Sequence, residues 1–195
     1  MFVHTAAAVA AALSVLVPAR FAPAPVVNDH EACLVERGAD ALAACDRVMR
    51  DGRFRLRDLA DAYVNRGQVH YVKHEYDLAV INFDQSIRLD PSFALAFGNR
   101  ANVWSMKKNY DRAIEDYTQA ISLDAQFPSA YTGRGLIYEE LGDLANARKD
   151  YLAAMSAPLK YQDGAWAKQV AAERIAKFNS RMAATADATS GLDKK

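Results

Sequence analysis

An eighteen-residue stretch of this chain is followed, one fixed interval later, by a close variant of itself. "YDLAVINFDQSIRLDPSF" ends at Phe93, and "YDRAIEDYTQAISLDAQF" ends 34 residues later at Phe127. Self-similarity at a fixed period of that size requires a stack of like units, each covering a flank that its neighbour cannot bury alone. Shifting the chain against itself by 34 aligns three consecutive units, 60–93, 94–127 and 128–161. Tyr63, Phe97 and Tyr131 form an aromatic column, followed by the small column Gly67, Ala101 and Gly135 and the bulky column His70, Trp104 and Tyr138. A second small column, Ala79, Ala113 and Ala147, precedes Phe83, Tyr117 and Tyr151 by four residues, and Phe93, Phe127 and Tyr161 close the units.

Bulky residues three, four and seven apart share one helical face, whereas strands alternate every second residue. Small residues at facing positions let antiparallel helices approach, with aromatics filling the space beside them. Asp90-Pro91 stops a helix, because proline donates no N–H and restricts the residue before it. The dipeptides at His74-Glu75, Lys108-Asn109 and Gly142-Asp143 mark the turn inside each unit. Few glycines (9) and prolines (6) in 195 residues favour helices over sheet.

The columns resemble the tetratricopeptide repeat pattern W-x2-L-G-x2-Y, A-x3-F, P over 60–161. Two departures stand out: Arg66, Arg100 and Arg134 fill the leucine column, and only the first unit keeps the proline, Pro91. The resemblance implies an all-α, right-handed superhelical solenoid of helix hairpins. It also implies a concave groove, lined by the first helix of each unit, that holds a protein or extended peptide. In that groove the pattern places Val64, Asn65, Gln68 and Tyr71, then Asn99, Asn102 and Met106, then Thr132, Leu136 and Glu139. Chaperone-binding relatives clamp a C-terminal carboxylate with Lys, Arg and Asn; the corresponding positions here are Val64, Gln68, Asn99, Ser129 and Gly133, which include no cation. A clamp of that type is disfavoured.

The ends of a solenoid need covers. Ala171, Ile175, Phe178 and Met182, with Trp166 and Val170 extending the stripe, predict a capping helix over 162–183 and a disordered tail over 184–195. A partner-binding role for that helix is the alternative. At the other end, Ala39–Arg50 aligns with the second helix of the first unit at an offset of 38, matching Ala41 with Ala79, Asp46 with Asp84 and Arg50 with Arg88. A reduced hairpin and linker over 28–58 follows, with Asn28 or Asp29 as cap and a turn at Gly38. Cys33 and Cys45 then fall near each other on antiparallel helices, which permits a disulfide. Their spacing is unlike a redox C-x-x-C pair, His30 alone is too little for a metal, and charged Glu36, Arg37 and Asp40 spoil a lipoprotein reading of "LAAC".

Residues 1–19 contain no Asp, Glu, Lys or Arg, and the apolar run Ala6 to Val17 has the size of a signal-peptide core. Cleavage is expected before Arg20, with 20–27 as an extended Pro-interrupted leader, which implies a periplasmic or secreted protein whose cysteines pair. After cleavage no stable membrane span is expected. The balance of 24 basic and 24 acidic residues attracts neither nucleic acid nor an acidic membrane overall. Arginines clustered between Arg47 and Arg57 read either as an anion contact or as a solvated linker offset by Asp46, Asp51 and Asp58.

His70 and His74 have the spacing of a metal pair, yet His70 falls in a packing column and no H-E-x-x-H follows. No phosphate-binding, nucleophile-elbow or zinc motif occurs, so neither enzyme activity, cofactor nor metal is expected. Two function classes result: a non-catalytic interaction scaffold of the bacterial envelope, or an assembly element that self-associates through its ends or capping helix. Catalysis at the histidine pair is the minor third.

Overall fold

The computed structural model describes residues 32–33, 39–50 and 55–190, with side chains to 180. Eight helices and no strand occur among them. They are α1 (Ala39–Arg50), α2 (Leu56–Val72), α3 (Tyr76–Leu89), α4 (Ala94–Met106), α5 (Tyr110–Leu123), α6 (Pro128–Glu140), α7 (Leu144–Ser156) and α8 (Gly164–Ser190). Helices α2/α3, α4/α5 and α6/α7 pack as hairpins, the second helix of each resting on the first helix of the next. Helix α1 packs on α2, and α8 lies across α6 and α7. The apolar core is therefore a chain of adjoining clusters along the stack, as a solenoid requires.

Local chemistry sets each hairpin. The first helices end with His74, Lys108 and Gly142 at φ 61, 56 and 79°, the left-handed conformation that terminates helices. Two backbone bonds close each turn: in the first unit His74 N–H donates to Tyr71 O at 2.9 Å and Glu75 N–H to His70 O at 2.9 Å. The later units repeat both bonds from Lys108 and Asn109 and from Gly142 and Asp143. Asn109 and Asp143 then cap the second helices by accepting from Arg112 N (3.4 Å) and Asn146 N (3.1 Å). Inside the hairpin, a Cβ on Gly67 would stand 2.6 Å from the Phe83 ring, so the small column is a steric requirement of the aromatic one.

The arginines in the family's leucine column join neighbouring units. Arg100 donates Nε and Nη2 to Asp116 at 2.8 and 2.7 Å, and Nη1 to Asp84 of the preceding unit at 2.5 Å. Arg134 holds Asp150 by two bonds of 2.8 Å and reaches back to Thr118 Oγ1 at 2.8 Å. Arg66 reaches back to Asp46 at 2.5 Å, but Asn82 occupies the place of Asp116 and Asp150. Arg66 Nε and Asn82 Oδ1 are consequently buried without hydrogen-bond partners.

Cys33 and Cys45 form a disulfide with Cα atoms 4.7 Å apart, buried with Ala32, Ala44, Val48 and Ala62 over the flank of α2. Together with α1 it covers the outer flank of the first unit. Gly38, Asn28, Asp29, the expected signal segment 1–19 and the expected leader 20–27 lie outside the described residues.

Two expectations about the C-terminal end need correction. Helix α8 continues to Ser190, so 184–190 are helical; the alanine-rich run there carries no helix breaker. Trp166 does not join the apolar stripe of Ala171, Ile175 and Phe178, for it is 57% exposed while they are buried.

Candidate functional site: the concave groove

The residues assigned to the groove divide into three groups. Val64 and Thr132 belong to the core, only 2% and 0% exposed. Their column faces the next unit: Val64 packs with Ala96 and Val103, and Thr132 Oγ1 donates to Ala167 O of α8 at 3.0 Å. Placement on the first helix was right, but that flank supports stacking instead of a ligand.

A second group holds the scaffold while edging the groove. Asn102 Oδ1 accepts from Tyr117 O–H at 2.5 Å. Glu139 accepts from Tyr151 O–H at 2.8 Å and pairs with Arg174 at 3.2 Å, fastening the capping helix. Tyr71 is half-buried, 6.0 Å ring-to-ring from Tyr76. Burial and then the neighbouring Tyr76 push its hydroxyl above the ordinary 10.0. Burial does the same to Tyr117 and Tyr151, with the Glu139 carboxylate adding to the effect at Tyr151. All three phenols are therefore neutral donors at physiological pH.

The third group is available. Gln68 and Met106 are exposed, Met106 by 52%, and Asn65, Asn99 and Leu136 are partly exposed. Asn99 Nδ2 on α4 and Ser129 Oγ on α6 are both buried atoms without a partner. Two unmatched polar groups on adjacent first helices are uncommon in a folded protein and cost free energy until something bonds them. A recess of about 500 Å³ opens between Ser105, Tyr110, Leu136, Glu139, Glu140 and Arg174, taking in two of the assigned residues, Leu136 and Glu139. Sequence reasoning named Ser129 only as a position of the absent carboxylate clamp, and it missed Tyr110 and Arg174, which come from other helices, outside the column pattern.

A larger recess of about 650 Å³ lies away from these residues, lined by Asp84, Phe97, Arg100, Trp104 and Arg112 among others. Arg100 there is committed to Asp84 and Asp116, and Arg112 stacks 4.8 Å over Trp104. Of the arginine cluster, Arg57 pairs with Asp90 and lies 3.8 Å over the Phe93 ring, while Arg55 pairs with Asp58. These contacts favour the structural role of the linker. His70 Nδ1 lies 2.6 Å from Glu75 Oε2, and His74 Nδ1 lies 3.0 Å from Tyr76 O–H. Among the described residues no three His, Cys, Asp or Glu side chains gather as a metal site, and no helix is long and apolar enough to cross a membrane.

The architecture is an all-α solenoid of helix hairpins with an open inner face, a fold that generally serves as an interaction module. Family models described as "Tetratricopeptide repeat" match residues 60–93 and 128–160, and "TPR repeat" matches 106–142. The chain belongs to the tetratricopeptide repeat family. Among solved structures, the second TPR of Spaghetti (RPAP3), bound to an HSP90 peptide, is 31% identical over 48% of this chain and 87% of that one, with a TM-score of 0.47. The structure of MamA is 27% identical over 60% of this chain and 61% of that one, with a TM-score of 0.51. The Arabidopsis OM64 TPR domain is 21% identical over 61% and 98% respectively, with a TM-score of 0.52. No curated protein sequence matches the chain.

Proposed function

We propose that this protein is a non-catalytic scaffold of the bacterial envelope that holds an extended protein segment along its concave face. The observation that carries this reading is the row of accessible side chains on the inner helices, with Gln68 and Met106 exposed and Asn65, Asn99 and Leu136 partly exposed. Carboxamides can bond the backbone of an extended peptide, and Met106 and Leu136 offer apolar contact. The Spaghetti domain holds an HSP90 peptide, SRMEEVD. With Val64, Gln68, Asn99, Ser129 and Gly133 at the equivalent positions, this chain has no cation to hold an acidic tail of that kind. Export is supported by the charge-free apolar start of the sequence and by the Cys33–Cys45 disulfide, which persists in oxidising compartments.

Selection of a displayed peptide library on the immobilised chain tests the groove. Asn99→Ala is the appropriate variant, since Asn102 also supports Tyr117. The selected peptide should bind Asn99→Ala about tenfold more weakly by calorimetry, near 1.4 kcal/mol. Failure to enrich any peptide, or equal affinity for both proteins, overturns the groove. N-terminal sequencing of protein recovered from the cell envelope should begin at Arg20.

A further inference from the structure

The three inner helices end on equivalent residues one period apart: Val72 on α2, Met106 on α4 and Glu140 on α6. All three are exposed, Val72 by 74% and Met106 by 52%, so the row turns from apolar to acidic along the stack. The helices that carry them touch in sequence, α2 on α4 and α4 on α6. The fold itself accounts for the neighbouring acid, Glu139. In the second unit Tyr117 O–H donates to Asn102; in the third, Leu136 stands in that place and Tyr151 O–H turns to Glu139 instead. Arg174 and Lys177 of α8 pair with the same carboxylate, at 3.2 and 4.0 Å. Glu140 has no such role, for no hydrogen bond or ion pair joins it to another described residue. It lines the recess shared by Tyr110 and Leu136, whose walls hold two carboxylates against one guanidinium.

Given the groove reading above, on which this rests, we propose that the segment held there is a polyproline II strand bearing two apolar side chains and then a lysine or arginine, at every third residue. Packed helices lie about 8–10 Å apart, and a polyproline II turn of three residues advances about 9 Å, so one side chain per turn meets each inner helix. The apolar pair rests on Val72 and Met106. The cation enters the recess, its aliphatic stem along Leu136 and the Tyr110 ring and its charge at Glu140. Neighbouring charges fix this placement. Lys73 follows Val72 and Lys108 stands just past Met106, whereas the third unit has Leu141 and Gly142 there. A basic side chain is therefore repelled from the first two units and drawn to the third.

Fluorescence anisotropy of the full chain with labelled peptides tests the pattern. Two probes carry leucine, leucine and lysine at every third position, in either order to cover both chain directions, with proline and serine between. One of them should bind, and changing its lysine to glutamate should weaken it about tenfold. Glu140→Lys should reverse that preference, and Met106→Asp should weaken both forms of the probe. Both positions are exposed, so the helical circular dichroism should not change. Binding by neither order overturns the proposal, and so does equal affinity of the native and Glu140→Lys proteins for the lysine probe. If library-selected peptides of another composition then still lose affinity in Asn99→Ala, the groove stands and only its occupant is refuted; if they do not, the groove falls as well.

Discussion

Arg100 and Asp116 are joined by two parallel hydrogen bonds of 2.8 and 2.7 Å between helices α4 and α5, with the carboxylate almost fully enclosed. The third guanidinium donor crosses to Asp84 of the unit before. Removing the cation strands two carboxylates, one of them buried. Arg100→Met should therefore cost about 3 kcal/mol in urea unfolding. A loss below about 1 kcal/mol would place this contact with ordinary surface pairs.

The first unit lacks the equivalent fork. Asn82→Asp presents a carboxylate to Arg66, whose Nε is buried and unpaired. The variant should gain about 1 kcal/mol with an unchanged denaturant slope. An Asn82→Asp protein less stable than the native one would show that desolvating the new charge outweighs the pairing.

Lys108 holds φ 56° at a turn where the third unit has Gly142 at φ 79°. A side chain in that region costs about 1 kcal/mol or more relative to glycine. Lys108→Gly should raise the unfolding midpoint by a corresponding amount. No change, or a fall, would mean that glycine's extra freedom in the unfolded chain cancels the relief.

Replacing both cysteines by serine should cost about 2–3 kcal/mol. Since only α1 and the flank of α2 share the bridge's core, hydrogen exchange should quicken in α1 while α4 to α7 keep their protection. Uniform acceleration along the stack would contradict this locality.

Burial alone would raise the Asp124 carboxyl. Hydrogen bonds from Lys160 Nζ and Tyr161 O–H, each 2.6 Å, and from Gln126 N outweigh it and hold the group below its ordinary 3.8. Its contribution is complete above the unfolded value and disappears as pH falls through the lower folded one. The stability gap between native protein and Asp124→Asn should be constant near neutrality and narrow below about pH 4. A gap independent of pH would assign the loss to packing.

The hairpins were legible because helical spacing, small columns and turn dipeptides all point to one backbone. Arg100 and Arg134 stand in register in that alignment, as do their partners Asp116 and Asp150, so the fork repeats with the period. Its backward reach was not legible, because acceptors Asp84 and Thr118 differ in type and Asp46 lies four residues out of period. Val64 and Thr132 were misplaced for a geometric reason: on a first helix the groove and the stacking flank lie side by side, and residue type does not separate them. Trp166 was drawn into the apolar stripe by its chemistry, although its register with Thr132 puts it on the flank left open. Unpaired atoms such as Ser129 Oγ emerge only from three-dimensional hydrogen-bond geometry.

The single covalent link between Cys33 and Cys45 sits at one extremity of a linear stack, while α8 at the other is fastened by side-chain contacts alone. The two ends of the stack therefore answer to different chemistry: reducing conditions would loosen the cover over the first unit and leave α8 untouched, whereas a truncated side chain under α8 would loosen the far end in any redox environment.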